Sequence, residues 1–531
     1  MRRREFLTGL GRLVVASAAA PLLDACDRGA KPSATTSPGT RPPGSATTSR
    51  PPVSTTTAGP PSLADLAASL RGTLVRPGDA SYSVASRLAS PAYDGLRPVA
   101  VARCASPADV VACVDWARAT GAPITARSGG HSYAGYSSGP GLVVDVGGLA
   151  SIAVDPGSQS AAIGSGAQLV DIDTTLAQHG VAVPAGSCPT VGIAGLTLGG
   201  GMGVTGRAFG LTCDNMLSAD VVLADGRQVH CDATHDPDLY WALRGGGGGN
   251  FGIVTAFTFR THPVGEATLF TFDWDWSLAA KVVAAWMDWV PGIPDAVFTA
   301  LPLRGAPSTG PRVSVSGLVL GPLSTVSAIT APLVAAIGTP TSRFARTHPY
   351  LDAMLIEAGC QGMSTAACHF AGSWPGGTLS RSAFLAKSDY FATPMDAASI
   401  AALTKAIERR TTDPRLLGGA AQFDAYGGVI NRIAPDATAF VHRHALCSAQ
   451  YSGAFDPAAP ADHRAANRAW LEAMYAELRT AASGAAYQNY IDPTLADWRQ
   501  AYYGTNYDRL VAVQRRYDPH HLFHFAQGVG A

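Results

Sequence analysis

The chain carries no excess of charge of either sign. Its 39 lysines and arginines balance 39 aspartates and glutamates, and charged residues make up only 15% of the 531 positions. Binding to nucleic acid relies on a basic excess that neutralises phosphates and releases their counterions. The balanced composition therefore argues against nucleic acid as a partner, while the length allows two or three domains with sizeable cores.

Short-spaced cysteine motifs are also missing. The nine cysteines do not follow the spacings that hold a metal ion, so we expect no metal site. Cys104 and Cys113 fall on a predicted strand and a predicted helix, which favours burial. Cys360 and Cys368 are close enough in sequence to form a disulfide, but without the loop geometry the bonded and the free states both stay open.

The apolar run near the N terminus, Leu10–Leu23, is too short to cross a membrane as a mature helix. A basic segment precedes it, and this order is typical of an export signal. The Arg-Arg-x-Phe-Leu pattern resembles a twin-arginine signal, which exports folded proteins. We therefore expect residues 1–26 to be a signal and the protein to act outside the cytoplasm.

Two outcomes are open for the end of this signal. Leu23-Asp-Ala-Cys26 resembles a bacterial lipobox, which would make Cys26 a lipid anchor in the membrane, and simple cleavage with secretion is the alternative. Residues 27–61 are rich in proline, serine and threonine and show no apolar periodicity. Such a segment buries too little apolar surface to offset its ordering entropy, so it is predicted to be a disordered linker.

The dinucleotide fingerprint, a strand followed by Gly-x-Gly-x-x-Gly and a helix, has no good match in the chain. Glycine is nevertheless abundant, with 58 residues, and it is dense in three loops, at 127–136, 184–203 and 244–252. Glycine lets backbone N–H groups approach an anion and form a concave site suited to a pyrophosphate. The first loop alone could be an ordinary turn. Three such loops in one region predict repeated approach of the backbone to a long ligand.

From about residue 263 onwards the apolar pattern changes character. Alternation with a period of two, typical of strands, is interspersed with longer segments of helical periodicity. The predicted strands are 270–276, 312–320, 420–426 and 439–444, and the predicted helices are 279–290, 324–337, 397–409 and 462–480. This combination predicts an antiparallel sheet backed by helices.

Four motifs extend from the first glycine-rich loop to near the C terminus. They are Arg127-Ser-Gly-Gly-His-Ser-Tyr133, Ala185-Gly-Ser-Cys-Pro-Thr-Val-Gly192, Arg244-Gly-Gly-Gly-Gly-Gly-Asn-Phe-Gly-Ile-Val254 and Asn489-Tyr-Ile-Asp492. With these motifs the sequence resembles the berberine bridge enzyme-like flavoproteins of the vanillyl-alcohol oxidase superfamily. The resemblance implies an α+β fold. Its parts are a two-subdomain PCMH-type FAD-binding domain (62–262), a substrate-binding domain with an antiparallel sheet backed by helices (263–486), and a segment returning to the FAD domain (487–531).

The resemblance also implies FAD held by two covalent bonds, from His131 to the flavin 8α-methyl group and from Cys188 to flavin C6. Val191, three residues after Cys188, looks compatible with access of oxygen to the flavin, and plain apolar packing is the alternative. The other cofactor-binding residues that the resemblance implies are Arg127, Ser128, Gly129, Gly130, Ser132, Tyr133, Gly192, Gly195, Gly249, Asn250, Gly252, Ile253 and Asn489.

Two residues are candidates for the chemistry. Tyr490 matches the catalytic base of related oxidases, although an arbitrary tyrosine is more often a packing residue. If segment 487–492 is a strand, Tyr490 and Asp492 share one face. Asp424, on a predicted strand, matches a family position that faces the substrate, and the alternative is an exposed carboxylate. A carboxylate beside Tyr490 would accept its proton or hydrogen bond.

This Asp and Tyr pair most resembles the sugar and oligosaccharide oxidases of the family. The resemblance implies an oxidase of an alcohol or hemiacetal group. In such an enzyme the tyrosine removes the hydroxyl proton, hydride passes to flavin N5, and oxygen then gives hydrogen peroxide. A tailoring oxidase for a secondary metabolite, or a dehydrogenase with another electron acceptor, is the alternative among enzymes. A non-catalytic flavin-binding surface lipoprotein is the alternative of another class.

Overall fold

A mixed four-stranded sheet forms the first subdomain of the N-terminal half. The computed structural model describes residues 59–531, so the predicted signal and nearly all of the predicted linker lie outside the described residues. The elements are α1 (Leu63–Ser69), β1 (Thr73–Val75), α2 (Tyr82–Ala85), β2 (Ala100–Arg103), α3 (Pro107–Thr120), β3 (Ile124–Arg127) and β4 (Leu142–Asp145). The strand order is β1-β2-β4-β3, in which β1 is antiparallel to β2 and the other pairs are parallel.

Helix α3 shows how the sequence sets the limits of an element. Pro107 occupies the first turn, where its missing N–H costs no hydrogen bond, and Gly121 follows the last turn with φ = 69°. The inner side of α3 packs on the sheet in one cluster with Cys104 and Cys113. Both cysteines are at most 1% exposed, which confirms their predicted burial.

An antiparallel five-stranded sheet forms the second subdomain. The elements are β5 (Ile152–Asp155), β6 (Ser160–Gly164), α4 (Leu169–Ala177), β7 (Val181–Ala182), α5 (Ile193–Leu198), α6 (Gly206–Phe209), β8 (Met216–Val222), β9 (Gln228–Asp232), α7 (Pro237–Ala242), β10 (Ile253–Arg260) and β11 (His262–Pro263). The strand order is β5-β6-β10-β8-β9, and β7 pairs separately with β11. Gly226, with φ = 84°, turns the chain between β8 and β9.

A seven-stranded antiparallel sheet dominates the second half of the chain. The elements are β12 (Glu266–Trp274), α8 (Ala279–Trp289), β13 (Val297–Ala306), β14 (Gly310–Leu320), α9 (Ser324–Ile337), β15 (Ser342–Pro349), α10 (Tyr350–Glu357), β16 (Ala383–Phe391), α11 (Ala397–Thr412), β17 (Gly419–Ala425), α12 (Val429–Arg432), β18 (Cys447–Phe455) and α13 (Ala461–Leu478). The order is β15-β12-β14-β13-β17-β18-β16. This confirms the expected antiparallel sheet backed by helices.

The two sides of this sheet differ in chemistry because successive residues of a strand point to opposite sides. One side is apolar and packs against α8, α9, α11 and α13, with Phe272, Leu301, Val315 and Phe423 at its centre. The other side carries mostly small and polar side chains in matching register. We call this side the polar face, and its central members are Thr271, Asp273, Ala300, Pro302, Ser314, Ser316, Gln422, Asp424, Ser448 and Gln450.

The last part of the chain returns to the second subdomain. It contains α14 (Trp498–Tyr503) and α15 (Tyr507–Tyr517). Trp498, Tyr503 and Leu510 are buried in one cluster with Ile163 and Phe257 of the five-stranded sheet. Apolar burial thus ties this segment to the N-terminal half. Within residues 59–531, no helix is long and apolar enough to cross a membrane.

The predicted strand 439–444 is wrong, and segment 487–492 is not a strand either. Residues Gln488–Tyr490 form a 3-10 turn, in which the Tyr490 N–H donates to the Tyr487 carbonyl at 2.9 Å. Segment 439–444 is a loop, because its N–H groups bond to carbonyls at the end of α7, as from Phe440 to Arg244 at 3.1 Å. In both segments the aromatic rings pack against each other, Tyr487 against Tyr490 at 4.9 Å and Phe440 against His442 at 5.3 Å, instead of forming the two sides of a sheet.

The strands β15 and β16 are absent from the sequence-based prediction, and they occupy the two edges of the seven-stranded sheet. The loop between α10 and β16 contains a disulfide that joins Cys360 to Cys368, with a Cα–Cα distance of 5.8 Å. The open question between bonded and free cysteines is therefore answered in favour of the bond.

Candidate active site

The loops that contain His131 and Cys188 meet at Gly129 and Gly192. A Cβ atom at Gly129 would lie 2.3 Å from the Gly192 nitrogen and 2.8 Å from the Thr190 carbonyl oxygen, so only glycine allows this contact. His131 Nε2 lies 2.9 Å from Thr190 Oγ1. Cys188 lies two residues before Thr190 in the same loop. The structure thus brings both predicted attachment residues close to one threonine.

Burial sets the protonation states of these two side chains. It lowers the pKa of His131 to about 4, so the imidazole is neutral at physiological pH and keeps a lone pair. Burial also raises the pKa of the Cys188 thiol, against the effect of hydrogen bonds from Thr190 and Val191. A neutral imidazole is already a nucleophile, whereas the thiol must first lose its proton.

Arg127 and Ser128 support the histidine loop from behind. The Arg127 side chain is buried, and its Nη2 donates to Asp145 Oδ2 at 2.7 Å and to the Ala85 carbonyl at 2.6 Å. Ser128 Oγ donates to the Ser165 carbonyl at 2.7 Å. Apart from Arg127 Nη1, the hydrogen-bonding atoms of these two side chains are committed to protein partners. Their contribution to a cofactor site would be to fix the loop whose N–H groups face it.

The five-glycine loop is held in a similar way. Asn250 is buried, donates from Nδ2 to the Gly246 carbonyl at 3.0 Å, and accepts at Oδ1 from the Val529 N–H at 2.9 Å. Gly252 adopts φ = 150° where β10 begins. The side chain of Ile253 lies in the core of the first subdomain. These predicted cofactor residues shape the loop from within.

Free space and unpartnered polar atoms lie along these loops. A Cβ atom at Gly195 would meet nothing within 4 Å, and one at Gly249 would meet only Phe525 at 3.7 Å. In the part of the chain that the structure describes, Arg127 Nη1, Ser165 Oγ and Gln488 Oε1 are buried without a hydrogen-bond partner. Buried polar atoms normally have partners. The backbone cradle, the space and these atoms together fit an elongated polar ligand such as FAD.

An aromatic group connects this cradle to the polar face. The rings of Tyr133 and Tyr490 stack at 5.3 Å with an angle of 6° between their planes. The Tyr133 hydroxyl oxygen accepts a hydrogen bond from Gln450 Nε2 at 2.8 Å. Phe384 packs edge-on against Tyr133 at 4.8 Å. Tyr490 therefore lies where the flavin-side loops and the polar face meet.

Tyr487, which the sequence reasoning left without a role, fixes the turn that carries Tyr490. Its hydroxyl oxygen accepts hydrogen bonds from the N–H groups of Gly201 at 2.9 Å and Met202 at 3.2 Å, and from Asn489 Nδ2 at 3.0 Å. Its ring packs edge-on against Tyr490 at 4.9 Å. The glycine-rich stretch before Met202 could have indicated a polar partner such as the Tyr487 hydroxyl, because its N–H groups need an acceptor.

Asp424 lies on β17 within the polar face. Gln422 Nε2 donates to Asp424 Oδ1 at 2.9 Å. Burial raises the pKa of Asp424 to about 6. Burial also holds the pKa of Tyr490 well above its usual value, and electrostatic interactions with Tyr133 and Asp424 raise it further. Tyr490 is thus a neutral hydroxyl at physiological pH, and the carboxylate can assist it as a proton acceptor but not by stabilising a phenolate.

The expected sharing of one face by Tyr490 and Asp492 is wrong. Asp492 is 6% exposed and is turned away into an ion pair, with Lys387 Nζ at 2.6 Å from its Oδ2. Its Oδ1 accepts from the Thr494 N–H and hydroxyl. Asp492 therefore stabilises the turn and does not face the same space as Tyr490.

A disulfide-containing loop, 358–382, covers His131 from the other side. Phe370 stacks on the His131 ring at 5.8 Å. The adjacent His369 has Nε2 at 3.0 Å from Asp171 Oδ2 and Nδ1 at 2.9 Å from the Thr365 carbonyl. Both partners are acceptors, so the charged imidazolium fits this position. Burial alone would lower the pKa of His369, but Asp171 raises it above its usual value.

This covering loop was missed by sequence reasoning. Its sequence carries no glycine-rich or strand-like signal beyond the cysteine pair. The contact between Phe370 and His131 joins residues far apart in the chain and depends on the packing of the two domains. Arg381, at the end of the loop, forms a bidentate ion pair with Asp94, from Nη1 to Oδ1 at 2.6 Å and from Nη2 to Oδ2 at 2.7 Å.

The arrangement defines a protein whose N-terminal half holds a flavin dinucleotide beside a polar sheet. Family models agree with this division. The FAD binding domain model matches residues 98–232, and the berberine and berberine-like model matches residues 486–530. The residues matched by the second model include Tyr487, Asn489 and Tyr490.

Known proteins that align over nearly their full length show the family. The chain is 31% identical over 465 residues to an uncharacterized FAD-linked oxidoreductase of Bacillus subtilis, covering 87% of this chain and 97% of that protein. It is 31% identical to the xylooligosaccharide oxidase of Thermothelomyces thermophilus, covering 83% of this chain and 89% of that protein. The structure of Physcomitrella patens BBE-like 1 superimposes with a TM-score of 0.79 at 30% identity, covering 88% of this chain and 99% of that one. The protein belongs to the berberine bridge enzyme-like family of FAD-linked oxidoreductases.

Proposed function

We propose that this oxidoreductase is an oxidase of alcohol or hemiacetal groups on saccharides, with molecular oxygen as the electron acceptor. The observation that carries the proposal is the polar face, which places Asp424, Gln422 and Gln450 of the sheet near the flavin-side tyrosines Tyr133 and Tyr490. A flat surface rich in hydrogen-bonding groups suits a sugar better than an apolar metabolite. The similarity to a xylooligosaccharide oxidase supports the same substrate class.

The roles of the residues follow from their protonation states. Bound FAD would supply the acceptor for the hydride and the route of its electrons to oxygen. Tyr490 starts as a neutral hydroxyl, so it must pass its proton on while it takes the proton of the substrate hydroxyl. Asp424, ionised above its pKa of about 6, is the carboxylate that acts electrostatically on Tyr490 and is the proposed acceptor. Gln422 orients this carboxylate through its hydrogen bond.

His131 and Cys188 are the proposed attachment points of the flavin. Both lie beside Thr190, in loops that the contact between Gly129 and Gly192 holds together. Two bonds would keep the flavin in place without a closed cover. An open site would then accept an oligomeric substrate.

Export by a twin-arginine signal, with Cys26 as a lipid anchor or with simple secretion, completes the proposal. Its support is the basic and apolar pattern of residues 1–26 and the cysteine at the end of that segment. Twin-arginine export of a folded protein would let the flavin be attached before the protein leaves the cytoplasm.

The test is a peroxide assay on the purified protein with a panel of xylo-, cello- and chito-oligosaccharides. We expect peroxide with at least one saccharide, and loss of peroxide in a Tyr490→Phe variant that still binds flavin. Reduction of the flavin by a saccharide without peroxide would favour a dehydrogenase with another acceptor, and Val191 would then be packing only. Absence of flavin reduction across the panel would contradict the saccharide assignment.

A further inference from the structure

A second carboxylate, Glu357, lies at the edge of the polar face and has no role in the proposed oxidation. It is the last residue of α10 (Tyr350–Glu357). Tyr350 and Met354 of this helix pack on Leu269 and Leu318, which pair across β12 and β14. Helix α10 therefore covers one end of the polar side of the sheet.

The register of the sheet leads from this covered end to Asp424. Two residues beyond Leu269 is Thr271, which pairs with Ser316, and Ser316 pairs with Ala300, which in turn pairs with Asp424. Side chains in such a row share one side of the sheet. Asp424 also acts electrostatically on the ionisation of Glu357. Together with the packing of α10 on the sheet, this puts Glu357 close to the proposed proton acceptor.

Glu357 is half-buried, yet among residues 59–531 no side chain or N–H group forms a hydrogen bond or ion pair with its carboxylate. Two further atoms on this side, Gln422 Oε1 and Thr271 Oγ1, are buried without a partner. Gln422 Nε2 is already bonded to Asp424, so its Oε1 is left as an acceptor. Unpartnered buried polar groups destabilise a fold. Several of them on one side of a sheet point to a ligand that supplies the missing partners.

We propose that Glu357 is a specificity-determining residue, which together with Gln422 Oε1 accepts hydrogen bonds from donor groups on the substrate carbons next to the one oxidised. This inference rests on the proposed function. Both protein atoms are acceptors, so the substrate must donate, through hydroxyl groups or through an ammonium group. Burial, and then Asp424, raises the pKa of Glu357 to about 7. The acceptor therefore becomes fully ionised only above neutral pH.

The kinetic test uses Glu357→Gln and Glu357→Ala, with Glu266→Gln as control. Glu266 lies on β12 of the same sheet and, unlike Glu357 at the end of α10, it is exposed. With the best saccharide of the panel, we expect KM to rise about tenfold or more in both Glu357 variants, with little change in kcat and no change in the control. A saccharide lacking the hydroxyl next to the oxidised carbon should show the raised KM in the wild type and no further rise in the variants.

Amino-sugar oligomers distinguish the two kinds of donor. If an ammonium group is the partner, the wild type should prefer the amino sugar over its hydroxyl analogue above pH 7, and Glu357→Gln should lose that preference. If hydroxyl groups are the partners, the variant should lose affinity for both sugars to a similar extent. Either outcome supports the proposal, and equal KM values in wild type and variants would overturn it.

A measurement without substrate separates this role from a structural one. The pKa of Glu357 in the folded protein lies above its ordinary value, so ionisation of Glu357 destabilises the fold. This destabilisation is absent below pH 4.5 and is complete well above pH 7. Glu357→Gln should therefore raise the melting temperature by a few degrees at pH 8 and leave it unchanged at pH 4. A lower melting temperature at pH 8 would mark Glu357 as structural and overturn the inference.

The two proposals fail in different ways. If the wild type oxidises no saccharide, the proposed function fails and this inference fails with it. If the wild type oxidises saccharides and the Glu357 variants keep the wild-type KM, only the inference about Glu357 fails.

Discussion

The two faces of the seven-stranded sheet are formed by the same strands, but they differ in composition and in their effect on stability. On the apolar side Leu301 and Phe423 are fully buried under helices. One residue away, on the polar face, Ala300 and Asp424 pair across the strands, and Asp424 has a raised pKa because it is buried with few partners. Burial on the apolar side stabilises the fold, whereas the buried polar groups of the polar face destabilise it and are available for catalysis. Substitutions on the two faces should therefore have opposite signatures.

The largest effect is expected where the polar face meets the flavin-side loops. Tyr490→Phe keeps the ring that stacks on Tyr133 but removes the hydroxyl. We expect kcat to fall about 1,000-fold, as for loss of a general base, while the melting temperature stays within about 2 °C of wild type. Stopped-flow flavin reduction would measure the loss directly. A variant that reduces its flavin at the wild-type rate would remove Tyr490 from the mechanism.

The matching substitution on the apolar face is Leu301→Ala. Leu301 is 0% exposed, so the change leaves a cavity and should lower the free energy of unfolding by about 3 kcal/mol. Activity at low temperature should stay close to wild type, because Leu301 faces away from the site. Denaturant unfolding and the peroxide assay on the same sample check both points. Loss of activity without loss of stability would contradict the division between the faces.

Asp424→Asn should show both effects expected on the polar face, a loss of activity and a gain of stability. Because Asp424 acts in its ionised form, wild-type activity should rise with pH through about 6, and this rise should vanish in the variant. We expect kcat/KM to fall about 100-fold at pH 7.5.

Stability should change in the other direction in the same variant. The folded pKa of Asp424 lies above its ordinary value of 3.8, so ionisation costs stability above that pH, and asparagine removes the cost. Thermal unfolding at pH 4 and pH 8 would measure the difference. A variant less stable than wild type at pH 8 would assign Asp424 a structural role.

The smallest effect concerns the loop that covers His131. His369 has a raised pKa, so its interaction with Asp171 is fully present below pH 6.5 and is lost as the pH rises through the folded value. His369→Asn should therefore cost about 2 kcal/mol at pH 6 and less at pH 9. Asp171→Asn should show the same trend. A cost that does not depend on pH would mean that the imidazole is neutral.

The two halves of the molecule also differ in how far the sequence could predict them. The attachment loops were predictable, because Gly129 and Gly192 are required by contact between two backbones and leave a local signal. The Asp225-Gly226 turn, with φ = 84° at the glycine, was predictable for the same local reason.

The parts that escaped prediction depend on distant contacts. The turn at Gln488–Tyr490 is fixed by the Tyr487 hydroxyl and the N–H groups of the 201–202 stretch, nearly three hundred positions away. Glu357 is a candidate for substrate binding only because α10 packs on the sheet beside the row of paired residues that ends at Asp424. Local periodicity contains neither of these facts, because both depend on contacts between residues far apart in the chain.

The central claim is that the convergence of the His131 and Cys188 loops holds a flavin beside the polar face. The most direct measurement is to denature the purified protein in acid and to record whether flavin absorbance stays with the polypeptide. The wild type, His131→Ala, Cys188→Ala and the double variant would be compared. We predict that flavin stays bound in the wild type and in each single variant and is released only from the double variant. Release from the wild type would contradict two-point attachment and remove the argument for an open site.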